Sequence, residues 1–181
     1  MKSAAKQLED ISLFRGLSKS ELIEVATCMK TIQVGKGRVL FRLGEDSDSA
    51  YIVRKGELSA YLQTTNQVQE IIKLGRGSVF GELCLVKPGC RSLTIRANVN
   101  TELLRVDRVG FEALRGAKSS AAYKIIRNIC VTACDRLRST NQFIEVEVKQ
   151  GVQLVQWAGG PPGGFGGLKR RMLSMFKKGN L

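Results

Sequence analysis

The 181-residue chain has the length of one domain with a short extension, and its composition is that of an ordinary globular protein. It carries 29 Lys and Arg against 16 Asp and Glu, and this net charge of +13 favours anionic partners such as phosphates, nucleic acid or an acidic membrane surface. The sequence contains no histidine, which excludes Ser-His and Cys-His catalytic pairs, His-ligated haem and the common zinc sites that use His.

The sequence offers neither a metal-binding cluster nor an obvious catalytic group. Its five cysteines are odd in number and contain no C-x-x-C pair, so a zinc knuckle and a thioredoxin-like motif are both excluded. The first residues lack the apolar stretch of a signal peptide, and no run reaches the roughly 18 apolar residues that a membrane-spanning helix needs. We therefore expect a reduced, cytoplasmic protein that is not an enzyme and holds no metal.

The N-terminal region, residues 3–30, shows the spacing of two short helices. Leu8, Ile11 and Phe14 recur every three residues and mark the inner face of the first helix. Ser18 followed by Glu21 is a capping box, which predicts that the second helix begins there. The inner face of this second helix is predicted to contain Leu22, Val25, Ala26 and Met29.

Residues 31–106 have the apolar period of strands, which is 2 rather than the 3.6 of a helix. Short apolar runs alternate there with glycines and polar turn residues. Many short strands joined by turns rather than helices favour a sandwich or barrel over a parallel sheet. The predicted strands cover residues 39–43, 51–53, 58–62, 71–74, 92–99 and 103–106.

Helical spacing returns in residues 107–140. A short helix is predicted over residues 109–114, and either Ser119 or Ser120 can cap the longer helix that follows. Two interpretations fit the apolar stripe of the longer helix equally: it packs on the β core, or helix 120–138 meets a second chain in a homodimer. The stripe consists of Ala122, Ile125, Ile126, Ile129, Ala133 and Leu137.

The C-terminal region contains three segments of different composition. Strict alternation in residues 144–149, a Gln-Gly turn and a second apolar run predict a β-hairpin over residues 141–158. Glycine and proline dominate residues 159–167, which we interpret as a linker. Residues 168–181 mix basic and apolar side chains, so they fit either a basic amphipathic helix on an anionic membrane or acidic partner, or a solvated tail. Nucleic acid is a weaker partner because this segment has few stacking aromatics.

One stretch, residues 79–94, combines residue types that suit a phosphorylated sugar. Gly81 lets the backbone approach a ligand, and a helical turn after it would direct backbone N–H groups to one point. Arg91 can pair with a phosphate, whereas the carboxylate of Glu82 can accept hydrogen bonds from a sugar hydroxyl. Either residue alone is explained by an ordinary surface ion pair beside a tight turn. The whole run with its flanking strands favours a nucleotide.

This stretch resembles the phosphate-binding cassette of the cyclic-nucleotide-binding domain family, which includes catabolite activator proteins and protein kinase A regulatory subunits. The likeness extends from about Leu8 to Leu137, and it includes Gly44 and Asp48 before the strand at residues 51–53. The resemblance implies a mainly β fold with flanking helices. We expect an eight-stranded, jelly-roll-like β-roll with N-terminal helices and a C-terminal helix pair, in a domain that covers residues 1–140.

The resemblance also implies how a cyclic nucleotide would be bound inside the roll. Arg91 would pair with the exocyclic phosphate oxygens, and Glu82 would accept a hydrogen bond from the ribose 2′-hydroxyl. The Ser92 hydroxyl would lie beside the phosphate and the base. Backbone groups of Gly81, Leu83 and Cys84 would support the phosphate and sugar, and Ile72 and Leu74 would contact the base.

Two positions depart from the family pattern without removing a ligand contact. Ser47 stands where glycine is usual, and Cys90 stands where many members have proline. In the family, threonine after the arginine often accompanies guanine preference and alanine is common in adenine binders. Ser92 offers a hydroxyl, and we expect cAMP as the ligand, with cGMP as the second choice.

The sequence therefore predicts a regulatory module that binds cAMP and signals to an unidentified protein effector by moving its C-terminal helix. The residues after that helix are too few for a winged-helix DNA reader, and no kinase, channel or cyclase motif is present. A cytoplasmic location with peripheral membrane contact through residues 168–181 fits this prediction. The alternative is a scaffold or membrane-associated interaction protein whose β-roll no longer responds to nucleotide.

Overall fold

Residues 8–63 and 68–157 are described by the computed structural model of the chain. The chain divides into two units, Met1–Thr132 and Ala133–Leu181. The strands of the described ranges lie in the first unit, and the described part of the second is helical. No helix in the described ranges is both long and apolar enough to cross a membrane.

The described residues form ten strands that fold into a β-roll. In chain order these are β1 (Met29–Val34), β2 (Val39–Phe41), β3 (Asp46–Ser47), β4 (Ser49–Lys55), β5 (Leu58–Gln63), β6 (Val68–Leu74), β7 (Val79–Phe80), β8 (Gly89–Cys90), β9 (Thr94–Ala97) and β10 (Thr101–Asp107). One sheet has the order β1-β10-β4-β7 and the other the order β2-β9-β5-β6, while β3 pairs with β8 alone. Every pairing is antiparallel, as expected for a roll without crossover helices.

Among the described residues, three α-helices precede or follow the roll in the sequence: α1 (Lys19–Ala26), α2 (Arg108–Gly116) and α3 (Ser120–Trp157). Two 3-10 helices, Ser12–Phe14 and Glu82–Leu85, add short turns. Two apolar clusters form the core of the first unit. One joins the N-terminal segment, α2 and the first turns of α3 to the β1-β10-β4-β7 sheet, and the other fills the interior of the roll.

The sequence predictions for the helix starts are confirmed by specific hydrogen bonds. The backbone N–H of Ser18 donates to the Glu21 carboxylate at 2.6 Å, and the Glu21 N–H donates to the Ser18 hydroxyl at 3.3 Å, which is the predicted capping box. Ser119 rather than Ser120 precedes α3, and its hydroxyl accepts from the Ala121 N–H at 3.2 Å.

The N-terminal part of the chain and the strand number differ from the prediction. The predicted helical region extends to residue 30, but α1 ends at Ala26 and Met29 begins β1, where it pairs with Val106 of β10. The ladder to a distant strand overrides the local helical spacing at this position. The structure has ten strands rather than eight because very short pairs, such as β3 with β8, carry no apolar period that a sequence pattern could show.

The predicted β-hairpin at residues 141–158 is wrong, because α3 continues through this region to Trp157. The apolar residues Ile144, Val148, Val152 and Val155 also recur at helical spacings of three and four, so both periods fit the same sequence. Extending an existing helix adds one hydrogen bond per residue and needs no new nucleus. The linker at 159–167 and the basic tail at 168–181 lie outside the described residues and stay predictions.

Candidate functional site

The 3-10 helix Glu82–Leu85 is preceded by Gly81, a glycine that no other residue could easily replace. Gly81 has a left-handed conformation, with φ of +70°, which costs an L-residue energy that glycine avoids. A Cβ atom at this position would also collide with Nη1 of Arg91. The backbone of Gly81 is therefore in direct contact with the guanidinium, although ten residues separate the two in the sequence.

Arg91 is held at its backbone by the turn between β2 and β3. Its N–H donates to the carbonyl of Glu45 at 2.8 Å, and its carbonyl accepts from the Gly44 N–H at 2.9 Å. These two bonds fix the Cα of Arg91, so the side chain enters the roll from a defined point. The residue is only 5% exposed, which is rare for a charged side chain.

Aromatic rings surround the guanidinium inside the roll. Its central carbon lies over the ring of Phe41, 4.1 Å from the ring centroid, and 5.4 Å from the centroid of Tyr51. The ring of Phe80 stacks on Tyr51 at 5.4 Å between centroids, which completes the aromatic group. Cation–π attraction of this kind is strongest where water is excluded.

The exposed carboxylate of Asp48 lies near the guanidinium. Asp48 Oδ1 is 3.8 Å from Nη2 of Arg91, and Asp48 Oδ2 accepts from Nη2 of Arg105 at 2.9 Å. Within the described ranges, Nε and Nη1 of Arg91 have no hydrogen-bond partner. A buried guanidinium with two unengaged donors is a site that an anionic ligand would complete.

The acidic and thiol groups of the cassette lie close to this arginine. Glu82 is 3% exposed. Burial raises the pKa of the Cys84 thiol, while a hydrogen bond with Ser47 and the charge of Arg91 act in the opposite direction. The negative charges of Asp48 and Glu82 also raise the pKa of this thiol. Ser47, which replaces the usual glycine, thus contacts the cassette directly.

The other predicted site residues lie on the cassette and on β6. Ser92, next to Arg91, and Leu83 are exposed. Leu74 is buried in the cluster that fills the roll. Ile72 pairs with Ala60 and therefore lies on the interior face of its sheet, but its side chain is 54% exposed. The structure thus groups Gly81, Glu82, Cys84 and Arg91 closely, and it leaves Ile72 at the open edge strand.

The residues that position Arg91 were not identified from the sequence. Phe41 and Tyr51 lie in short apolar runs of the kind that any buried strand shows, and nothing local distinguishes them from other buried aromatics. Asp48 was recognised only as part of the resemblance. The predicted burial of Arg91 was one signal that could have found them, because a buried arginine needs an aromatic ring or a carboxylate beside it.

The β-roll thus carries a buried arginine and a buried carboxylate nine residues apart in the chain, and the arginine suits a small phosphorylated ligand. Comparison with known proteins defines the class of the domain. Residues 31–117 match the family model for the cyclic nucleotide-binding domain. These residues belong to the cyclic nucleotide-binding domain family, which is a family of regulatory domains. This finding confirms the resemblance of the cassette.

Individual relatives agree with this assignment. The chain is 28% identical to the cAMP-dependent protein kinase regulatory subunit of Emericella nidulans over 109 residues, which are 60% of this chain and 26% of that protein. It is 30% identical to a cyclic nucleotide-gated potassium channel of Rhizobium etli over 126 residues, 70% of this chain and 33% of the channel. The chain thus spans a third or less of the length of these relatives.

A solved structure with a similar fold contains a ligand. The regulatory domain of Toxoplasma gondii PKA, crystallised with cAMP, aligns with a TM-score of 0.58 and 27% identity. The alignment covers 62% of this chain and 43% of that chain.

Proposed function

We propose that this domain binds cAMP inside the roll and that Arg91 pairs with the cyclic phosphate. The observation that carries the proposal is the burial of the guanidinium, with Nε and Nη1 unengaged within the described ranges. A buried cation is costly unless an anion and hydrogen bonds compensate it. A phosphate can accept from two guanidinium donors at once and would supply both.

We further propose that Glu82 accepts a hydrogen bond from the ribose 2′-hydroxyl. Its position in the turn that begins at Gly81, whose backbone contacts Arg91, supports a ligand that presents a sugar beside its phosphate. The backbone of Gly81, Leu83 and Cys84, the Ser92 hydroxyl, and the side chains of Ile72 and Leu74 are the remaining proposed contacts.

The choice of cAMP over cGMP rests on weaker support than the phosphate contact. The fungal relative is named for dependence on cAMP, and the Toxoplasma structure contains cAMP. Ser92 provides a hydroxyl that either base could use. We keep cGMP as the second ligand for the binding experiment below.

We expect ligand binding to change the conformation of the cassette turn and, through it, the packing of α2 and α3. Cys84 and Leu85 of the cassette turn belong to the same apolar cluster as Phe111 of α2 and Ile125 of α3. A ligand that shifts this turn must therefore repack the contact with both helices, because a close-packed core does not deform continuously. The effector is unidentified, and a homodimer through residues 120–138 stays a prediction.

Isothermal titration calorimetry of the full chain with cAMP and cGMP tests this proposal. We predict binding that Arg91→Ala weakens by about 30-fold or more, because the variant leaves the phosphate without its buried partner. Arg96→Ala is the matched control: Arg96 is exposed and lies over the ring of Tyr61, so its loss should leave affinity unchanged.

Two results would contradict the proposal. Absence of heat with either nucleotide would favour the alternative of a β-roll that does not respond to nucleotide. Equal affinities of Arg91→Ala and the unmodified chain would remove the arginine from the site.

A further inference from the structure

Most of the contacts that position Arg91 come from outside the phosphate-binding cassette. Apart from the backbone of Gly81, the residues that contact its guanidinium and hold its backbone lie in residues 41–51, which comprise the end of β2, β3 and the start of β4. Within that segment, Phe41 makes the closest ring contact with the guanidinium, at 4.1 Å, whereas Tyr51 lies at 5.4 Å. Phe41 is itself buried and is held in register by its pairing with Ile95 of β9.

We propose that Phe41 is the positioning residue for phosphate recognition: its ring holds the guanidinium of Arg91 in place before the ligand arrives. This inference rests on the proposed function, because it assigns a role in binding the same phosphate. Neither the cassette motif nor the resemblance assigns Phe41 a role in the site.

An aromatic ring is suited to this role because it attracts a cation without using its hydrogen-bond donors. The ring face attracts the guanidinium by cation–π interaction and stacking. The N–H groups remain available for a ligand, in agreement with the unengaged Nε and Nη1 within the described ranges. A carboxylate or amide at the same position would accept these hydrogen bonds and compete with the phosphate.

The carboxylate of Asp48 is less suited to hold the side chain. It is 3.8 Å from the arginine, largely exposed, and shared with Arg105 at 2.9 Å. A solvated contact of this kind contributes little. Without the ring, a long and flexible side chain would have to be ordered when the ligand binds, and this ordering weakens affinity.

The test compares three variants by calorimetry with cAMP. Phe41→Leu keeps an apolar side chain but removes the ring face, and we expect about three- to tenfold weaker binding. Phe41→Tyr restores a ring and should bind within about twofold of the unmodified chain. Phe14→Leu is the matched control, because Phe14 is buried in the N-terminal segment outside the interior of the roll, and its variant should lose stability without losing affinity. Urea unfolding of each variant verifies that it is folded.

The outcomes separate this inference from the proposed function. Unchanged or tighter binding by Phe41→Leu, or equal weakening by Phe41→Leu and Phe41→Tyr, overturns the positioning role. A loss of affinity in Phe14→Leu as large as that in Phe41→Leu also overturns it, because the effect is then one of packing. If Arg91→Ala binds cAMP normally, the proposed function itself fails, whatever Phe41→Leu does.

Discussion

At the scale of single residues, Glu21 connects two elements through one carboxylate. It accepts from Nζ of Lys124 at 2.7 Å and from the Ser120 hydroxyl at 2.6 Å, both on α3, while it also accepts from the Ser18 N–H. These hydrogen bonds, with that from Lys124 the largest, lower the pKa of Glu21 from 4.5 to about 2. The ionised form is therefore stabilised in the folded protein.

The lowered pKa predicts how stability depends on pH. A carboxylate with a folded-state pKa below its unfolded value stabilises the fold above the unfolded value and loses that contribution as pH falls. The free energy of unfolding of the unmodified chain should exceed that of Glu21→Gln above pH 4.5, and the difference should disappear as pH falls to about 2. Glutamine preserves the capping box, so the comparison isolates the charge. Urea unfolding between these pH values measures the difference, and a pH-independent difference would contradict the prediction.

The chemistry-bearing residues of the site could be predicted from sequence, but their support could not. Gly81, Glu82 and Arg91 lie within one short run, so residue type and spacing predict a joint role for them. Phe41 and Tyr51 come from strands 50 and 40 residues before the arginine. Their contact with Arg91 depends on strand register, which local patterns do not specify.

At the scale of elements, a buried amide fastens the start of α3 to the N-terminal segment. Asn128 donates to the carbonyl of Leu13 at 3.0 Å and to that of Arg15 at 2.9 Å. The carbonyls belong to the end of a short 3-10 helix, where the backbone lacks internal partners. The N-terminal segment and the first turns of α3 are thus joined by polar as well as apolar contacts.

Removing this amide should destabilise the fold. Asn128→Ala leaves two carbonyls without these donors, and we predict a loss of about 2 kcal/mol in the free energy of unfolding. Asn141→Ala, an exposed position on the same helix, is the control and should change stability by less than about 0.5 kcal/mol. Urea denaturation measures both, and equal effects would show that the contact contributes nothing.

The elements that were predicted incorrectly share one physical cause. The segments at Met29 and at residues 144–157 carry apolar patterns that fit two periods, so local spacing could not decide between helix and strand. Met29 is in a strand because it pairs with Val106 of the distant strand β10. Residues 144–157 are helical because they continue the helix that precedes them. The better-predicted strands fit only one period: β4 is a run of five consecutive buried residues that is too short for a helix, and β10 buries Thr101, Leu103 and Val106.

At the scale of the whole molecule, the roll brings together residues that are far apart in the chain. Arg91 enters an interior formed by β2, β4 and β7, and the cassette turn packs in the same cluster as α2 and the start of α3. Under the proposed function, binding in the interior would therefore be linked to repacking of the helices through these shared contacts. The net charge of +13 adds a general attraction for anionic ligands, and in the proposed function the buried arginine would provide the specific contact.

The most direct test is the NMR resonance of the Arg91 Nε–H group in the full chain labelled with ¹⁵N at arginine. Its peak is identified by its absence in Arg91→Lys. We predict that this peak shifts as cAMP is added and saturates together with the heat of binding, because the phosphate engages the donor. A peak that stays in place while cAMP saturates the protein would contradict the central role of the buried guanidinium.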